Sequence, residues 1–391
     1  MKQETIFDYP VFGLGFRAFF VLAGLSALML ILLWNAIYKG ELTPRNYFAA
    51  IDWHAHEMLI GYSSAVIAGF LLTAVKNWTG RPTITGNRLG GLCLLWLYGR
   101  IVPFYAGLLP DALIALVDFA FVPALAYQLS KPIIQSQHTK SMVFLVLLLL
   151  MMVANGLIHL EILGLQENTA WLGLQLLVAT IITMILVVAG RVFPYFTERG
   201  LSGTLAIRNP VWDALSIASA VLVFVLQMAG VSDIYLAVAA IAAALLNTVR
   251  VSDWYVQRVW YVPLLWILYI GYGWIILGFL LTALSAYSVV SASLALHAYT
   301  LGGIGVLTLG MMARVSLGHT GRALKASNAM AVAFVLINIS AFLRVLLPAV
   351  FPDWYGQLLY VSTLCWLAAF SLFMLIYAPI LTAPRADGKA D

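Results

Sequence analysis

Charge is what this chain has least of. Only 9% of its 391 residues are Asp, Glu, Lys or Arg, against roughly 25% in an average soluble domain. Since 63% are hydrophobic and the mean hydropathy is +0.97, so little polar surface cannot wet the outside of a soluble core. Cysteine is nearly absent as well. Cys93 and Cys365 both lie inside apolar runs, which excludes a disulfide framework. No CxxCH or CxxC pair occurs, so any redox group is held without thioether bonds or a thiolate cluster. A P-loop, a GxGxxG in a strand-to-helix setting and a serine or cysteine triad pattern are likewise missing, which argues against a nucleotide-driven pump. The net charge of +5 would suggest nucleic acid in a soluble chain. Here the positive residues sit between apolar runs, where topology accounts for them.

What is present is a succession of apolar segments near 17–38, 58–75, 88–106, 110–129, 141–163, 171–190, 210–229, 233–249, 260–281, 295–313, 327–347 and 356–380. A helix needs about 20 residues to cross some 30 Å of hydrocarbon. The expectation is therefore an all-α bundle of about twelve transmembrane spans, forming a single integral membrane domain over residues 1–391. Pro103, Pro110 and Pro123 crowd the third and fourth segments, and a re-entrant pair is the alternative there. The N-terminal stretch mixes acidic and aromatic residues and has no A-x-A-like site, so the first helix is expected to stay.

Orientation follows from the basic residues. Lys2, Arg17, Lys76, Arg81, Arg88, Lys131, Lys140, Arg191, Arg199, Arg208, Arg250, Arg258, Arg314, Arg322, Lys325, Arg385 and Lys389 fall at the N-terminus or in every second connection, 17 of the 21 in all. Lys39, Arg45, Arg100 and Arg344 are the exceptions. The positive-inside rule then puts both termini in the cytoplasm.

With that topology His54, His56, His159 and His297 share the outer membrane level, while His138 and His319 lie on the cytoplasmic side. An ionisable group at span depth is a functional-site candidate, and imidazole ligates haem iron, copper and zinc. Set against this is the plainer role of bridging helices or binding water. In DWHAHEMLIGY (52–62), a helix starting near Asp52 points His54 and His56 about 200° apart, so the two cannot ligate one atom as neighbouring helical residues. Glu57 is placed to accept a ring proton or to relay one. Met58 lies four residues after His54 and is either a soft copper ligand or apolar filler. Asn155, His159 and Glu161 form a polar group at the outer end of the fifth span, as a ligand set or a helix-bridging network.

An internal echo ties two of these regions together. Residues 56–81 laid over 297–322, at an ungapped offset of 241, pair His56 with His297, Gly61 with Gly302, Gly69 with Gly310, and Thr79-Gly80-Arg81 with Thr320-Gly321-Arg322. Each unit reads as an outer histidine, a glycine-bearing span and a cytoplasmic TGR, and both run in the same direction. Gly302, Gly303, Gly305 and Gly310 either permit close helix packing or leave a slot for a flat macrocycle. The basic and aromatic loops KNWTGRP, GRVFPYFTERG and RVSLGHTGR serve as topology anchors or hold an anion or lipid headgroup.

FGLGFRAFF (12–20), WHAHEMLIGY (53–62), AGFLLTAVKNWTGR (68–81), GRVFPYFT (190–197) and GHTGR (318–322) together resemble the NnrS family over nearly the whole chain. Ala18 stands where the family pattern GFRPFF has proline, a departure at helix entry. The resemblance implies a bacterial inner-membrane protein of twelve spans containing haem and copper, linked to denitrification and nitric oxide tolerance. His54, His56, Glu57 and His319 are its motif residues here, and Arg81, Arg191 and Arg322 stand in motif stretches with no assigned role. The cofactors expected are a non-covalent, b-type haem and copper. From the echo, His56 and His297 are the expected axial haem ligands. His54 and His159 are then left for copper, supported by Met58, Asn155 and Glu161. Nitric oxide is the expected small ligand, the bilayer the expected partner, and any turnover needs an electron donor that no segment of the chain identifies. Two other classes fit the same residues: a transporter of metal, haem or small solute with histidines as transient ligands, and a non-catalytic haem-bearing scaffold.

Overall fold

A computed structural model describes residue 7 and residues 9–389. Lys2 of the charge count and both chain ends lie outside the described residues. Long apolar runs form helices because a backbone in lipid must satisfy its own N–H and C=O groups, and no β-strand occurs among the described residues. Among the described residues, eleven helices are long and apolar enough to cross a membrane. In chain order they are α1 (Gly15–Tyr38), α2 (Ala50–Thr79), α4 (Asp111–Gln135), α5 (Thr139–Ile162), α6 (Ala170–Gly200), α7 (Pro210–Met228), α8 (Asp233–Ser252), α9 (Pro263–Ala286), α10 (Ala292–His319), α11 (Asn328–Val350) and α12 (Pro352–Thr382). The expected third span is the shorter α3 (Gly86–Ile101), 16 residues long and extended by a 3-10 turn, Val102–Tyr105. Of the prolines in this region, Pro103 lies in that turn, Pro110 precedes α4, and Pro123 falls within α4 just past a local break at Ala120. The second member of the pair is thus a full-length 25-residue helix, where a re-entrant pair was the alternative.

The chain divides into two compact units. The first comprises Met1–Leu177, Val315–Ala323 and Phe373–Asp391, and the second Val178–Arg314 and Leu324–Leu372. In the first unit Arg17, fully buried, donates to the carbonyls of Leu381 at 3.0 Å and Ala383 at 2.7 Å. It thereby satisfies carbonyls that the end of α12 leaves open.

The sequence echo has a backbone counterpart. α2 widens into a π-helical segment at Glu57–Ser63 and α10 at Ala298–Gly305, the two starting one residue after His56 and His297 and therefore at the same offset of 241. Both helices are followed by a glycine in the left-handed region, Gly80 at φ 65° and Gly321 at φ 71°. A π-turn inserts an extra residue, re-aims the side chains that follow, and is concentrated at functional sites. α2 and α10 are also the two most enclosed of the eleven spans. The repeat is thus a repeated device: a histidine, a helix widened just after it, and a glycine stop.

The α10 glycines serve close approach. A Cβ on Gly302 would lie 2.7 Å from the Trp274 ring, one on Gly303 2.8 Å from Ile275, and one on Gly305 2.9 Å from Trp366. Side chains of the second unit fill the space that a macrocycle would need against these three residues. Gly302→Ala is expected to lower stability by about 1–3 kcal/mol through overpacking. Gly273→Ala, where nothing lies within 4 Å, should leave the melting temperature of the purified protein unchanged. Equal melting of the two variants would contradict this packing.

Candidate metal centre

The first turn of α2 carries Asp52, a favourable charge at a helix N-terminus. The helix begins at Ala50, two residues before the expected start. His56 closes the α-helical part, and the π segment begins with Glu57. Both side chains are buried, His56 at 0% and Glu57 at 1% exposure. Gly61 makes room for the carboxylate, since a Cβ there would lie 2.7 Å from Glu57 Oε2 and 3.2 Å from Arg100 Nη1.

Four further side chains converge on this point from three helices of the same unit. Asp118 of α4 is fully buried. Its Oδ2 lies 3.1 Å from His56 Nε2 and 2.9 Å from His159 Nε2, and accepts from Asn155 Nδ2 at 3.0 Å. Its Oδ1 accepts from Arg100 Nη2, while Arg100 Nη1 donates to Glu57 Oε1 at 2.6 Å. His56 Nε2 is also 2.9 Å from Asn155 Oδ1. A carboxylate only accepts, so both histidines direct an Nε2–H at Asp118. Three atoms are left over, for His56 Nδ1, Glu57 Oε2 and Arg100 Nε are buried and make no hydrogen bond. Ligand atoms of His56, Asp118 and His159 all lie within 4.8 Å of one another, close enough to hold one metal ion.

Charge and surroundings sharpen this. With neutral histidines, the single positive charge of Arg100 faces the two carboxylates Glu57 and Asp118, and the cluster carries one surplus negative charge. Buried charge is expensive unless compensated, so the site favours one more positive charge, which a second proton on His56 or a bound cation would supply. Above it, Tyr47 places its hydroxyl 3.3 Å from His159 Nδ1, and Phe48 stacks on His56 with ring centroids 4.3 Å apart. Burial, with the Asp111 and Asp118 carboxylates nearby, pushes the Tyr47 phenol up, which keeps it a neutral O–H.

Other sequence candidates sit elsewhere. His54 stacks on Trp34 at 4.3 Å and contributes no atom to the His56–Asp118–His159 group. Glu161 accepts from the Ala170 backbone N–H at 2.6 Å and so caps α6. Met58 is half-buried in the π segment. His319 packs against Phe16 with centroids 5.7 Å apart. Arg81 N–H is held by Thr79 Oγ1, and Arg322 N–H by the Leu317 carbonyl. In the second unit His297 Nδ1 lies 2.7 Å from the Ser293 carbonyl oxygen. Four residues of this cluster were missed from sequence, Asp118, Arg100, Tyr47 and Phe48, and two of them left a trace. The available signals were an aspartate inside an apolar run and an arginine against the charge rule, and both mark burial with a partner.

The family described as NnrS protein matches residues 10–385 of the chain. The chain belongs to the NnrS family. No curated protein matches it. As an NnrS protein it is a lipid-embedded, inner-membrane protein of the haem- and copper-containing group that acts in the nitric oxide response. Its buried His56–Asp118–His159 cluster is consistent with that family's metal binding.

Proposed function

We propose that this NnrS protein holds one copper ion between Nε2 of His56, Nε2 of His159 and Oδ2 of Asp118, and that this centre, with a non-covalent b-type haem, is where nitric oxide acts. The observation that carries the reading is what lies behind each imidazole. A cation taking the two Nε2 positions requires each ring to carry its proton on Nδ1, and metal-bound histidines pass that proton to a second acceptor. Glu57 Oε1 stands 3.5 Å from the otherwise unbonded His56 Nδ1, and the Tyr47 hydroxyl 3.3 Å from His159 Nδ1. Both acceptors are therefore in place, and the cation cancels the surplus negative charge. Two imidazoles and a carboxylate suit copper or zinc, and family membership favours copper. When bound, copper supplies a redox-active Lewis acid within reach of a small diatomic that dissolves in lipid. Arg100 fixes both carboxylates, Asn155 orients Asp118 through its amide N–H, and Phe48 shields the imidazole from water.

His297 supports the haem half of the proposal. The Ser293 carbonyl can only accept, so His297 Nδ1 carries a proton, and in the neutral ring Nε2 would be the nitrogen to hold iron. This divides the histidines differently from the bridge drawn from the repeat, because His56 here belongs to the group it forms with Asp118 and His159. His159→Ala is expected to lose copper by elemental analysis and keep its haem by pyridine haemochrome assay, and His297→Ala the reverse. Full copper in His159→Ala would move the centre elsewhere. Fully expressed protein with neither group would favour transport with transient ligands.

The proposed orientation has both termini in the cytoplasm. Arg100 and Arg344 among the four exceptions, and Arg17, Arg250 and Arg314 among the seventeen, are buried side chains that do not weigh on topology as loop charges do; setting all five aside leaves the same bias. A reporter inserted within residues 39–50 should read outside, and one fused after residue 391 inside. Opposite signals would reverse the orientation.

A further inference from the structure

At the other end of the second unit a group of arginines has no part in the metal centre. Arg314 lies five residues before the end of α10 and is 3% exposed. Its guanidinium lies flat against aromatic surface, with Cζ 4.0 Å from the Phe196 ring centroid. Among the described residues no hydrogen bond or carboxylate is recorded for it. Its neighbours on α6 are of the same sign. Arg199 Cζ lies 5.6 Å from the Tyr195 ring centroid, and Arg191, Tyr195 and Arg199 recur every four residues along one face of α6. The nearest acid in sequence, Glu198, is gripped by both terminal nitrogens of Arg208 at 2.7 Å. Asp213 is taken by Arg250, also at 2.7 Å. The local carboxylates are therefore spent on other arginines.

A buried guanidinium without a counter-charge is costly. Cation–π contact with Phe196 returns about 0.5–2 kcal/mol but leaves the N–H donors of the fork unanswered. Arginine presents those donors in the planar geometry that grips phosphate through two bonds at once. Five residues of helix put Arg314 roughly 7 Å inside the end of α10, the depth at which a span passes from hydrocarbon to headgroups. By the charge rule this is the cytoplasmic end, where anionic lipid attracts basic clusters. We propose that Arg314, seated on Phe196 with Arg199 on the adjoining turn of α6, is a binding site for the phosphate of an anionic phospholipid. The site gives a function to the GRVFPYFTERG stretch, which the metal centre leaves unexplained. It stands independently of the copper and haem assignments.

The test is native mass spectrometry of the delipidated full chain, titrated separately with phosphatidylglycerol, phosphatidylcholine and inorganic phosphate. Wild type should show one tight phosphatidylglycerol adduct. Arg314→Gln should weaken it about tenfold, the loss of one charge-assisted pair. Phe196→Leu, which removes the supporting ring and keeps the charge, should weaken it less and serves if Arg314→Gln fails to fold. Arg81→Gln, in the first unit, should leave the adduct unchanged. Equal binding of the two lipids, or equal adducts in wild type and both site variants, would overturn the proposal. Displacement of the lipid by millimolar inorganic phosphate would overturn the lipid as occupant and make this a free-anion site.

Discussion

Asp118→Asn should empty the copper site and cost about 3–5 kcal/mol of stability. The substitution keeps side-chain volume and hybridisation and removes one charge, so a packing defect cannot explain the loss. Four donors now share this carboxylate: Arg100 Nη2, Asn155 Nδ2 and the Nε2 atoms of His56 and His159. An asparagine offers one oxygen and turns an amide NH2 toward the rest, so donors face donors in a buried site. Elemental analysis should find copper lost, and calorimetry in matched detergent should find the unfolding temperature lowered. Binding only to the folded state stabilises wild type by about 2.7 kcal/mol at a ligand concentration 100 times Kd. Added copper should therefore raise the melting temperature of wild type and leave Asp118→Asn where it was. A variant that keeps wild-type copper and the same copper-dependent shift would remove Asp118 from the metal centre.

Asp118 also shows where sequence reading stops. The spans were legible because lipid imposes a length and a composition on each segment, and eleven of the twelve expected appear as full-length helices. Which helices meet is not written in hydropathy. The polar link of α4 to α2 and α5 runs through one aspartate whose neighbours, Val117 and Phe119, look like any other span. His56, His159, Glu57 and Asn155 could be picked out because each is a polar group at span depth. The echo told more than its six identities suggested, for it marked the π segments behind His56 and His297. It could not tell that the copies differ in charge. At the same offset, Ala298, Ala341 and Leu359 stand where the first copy has Glu57, Arg100 and Asp118. The second histidine therefore has alanine where the first has Glu57, and Arg344 reaches the Ser293 hydroxyl beside it rather than a carboxylate.

Arg100→Met should cost as much as the Asp118 change for the opposite reason, about 3–5 kcal/mol, because it strands two carboxylates in a buried site. Methionine keeps most of the stem volume while removing the charge that Glu57 Oε1 and Asp118 Oδ1 share. The surplus negative charge of the cluster grows from one to two. Glu57→Gln alone leaves Arg100 facing one carboxylate, a milder fault. Added to Arg100→Met it removes half of the stranded charge, so the double variant should be more stable than Arg100→Met alone. The two sites share one ion pair, and the coupling should fall within the 0.5–3 kcal/mol found for contacting residues. Copper separates structural from metal roles here. A divalent cation compensates the stranded charges, so added copper should stabilise Arg100→Met more than it stabilises wild type, as read by the shift in melting temperature. Strict additivity of the two substitutions, with no extra copper response, would mean that Arg100 packs against the centre without balancing its charge.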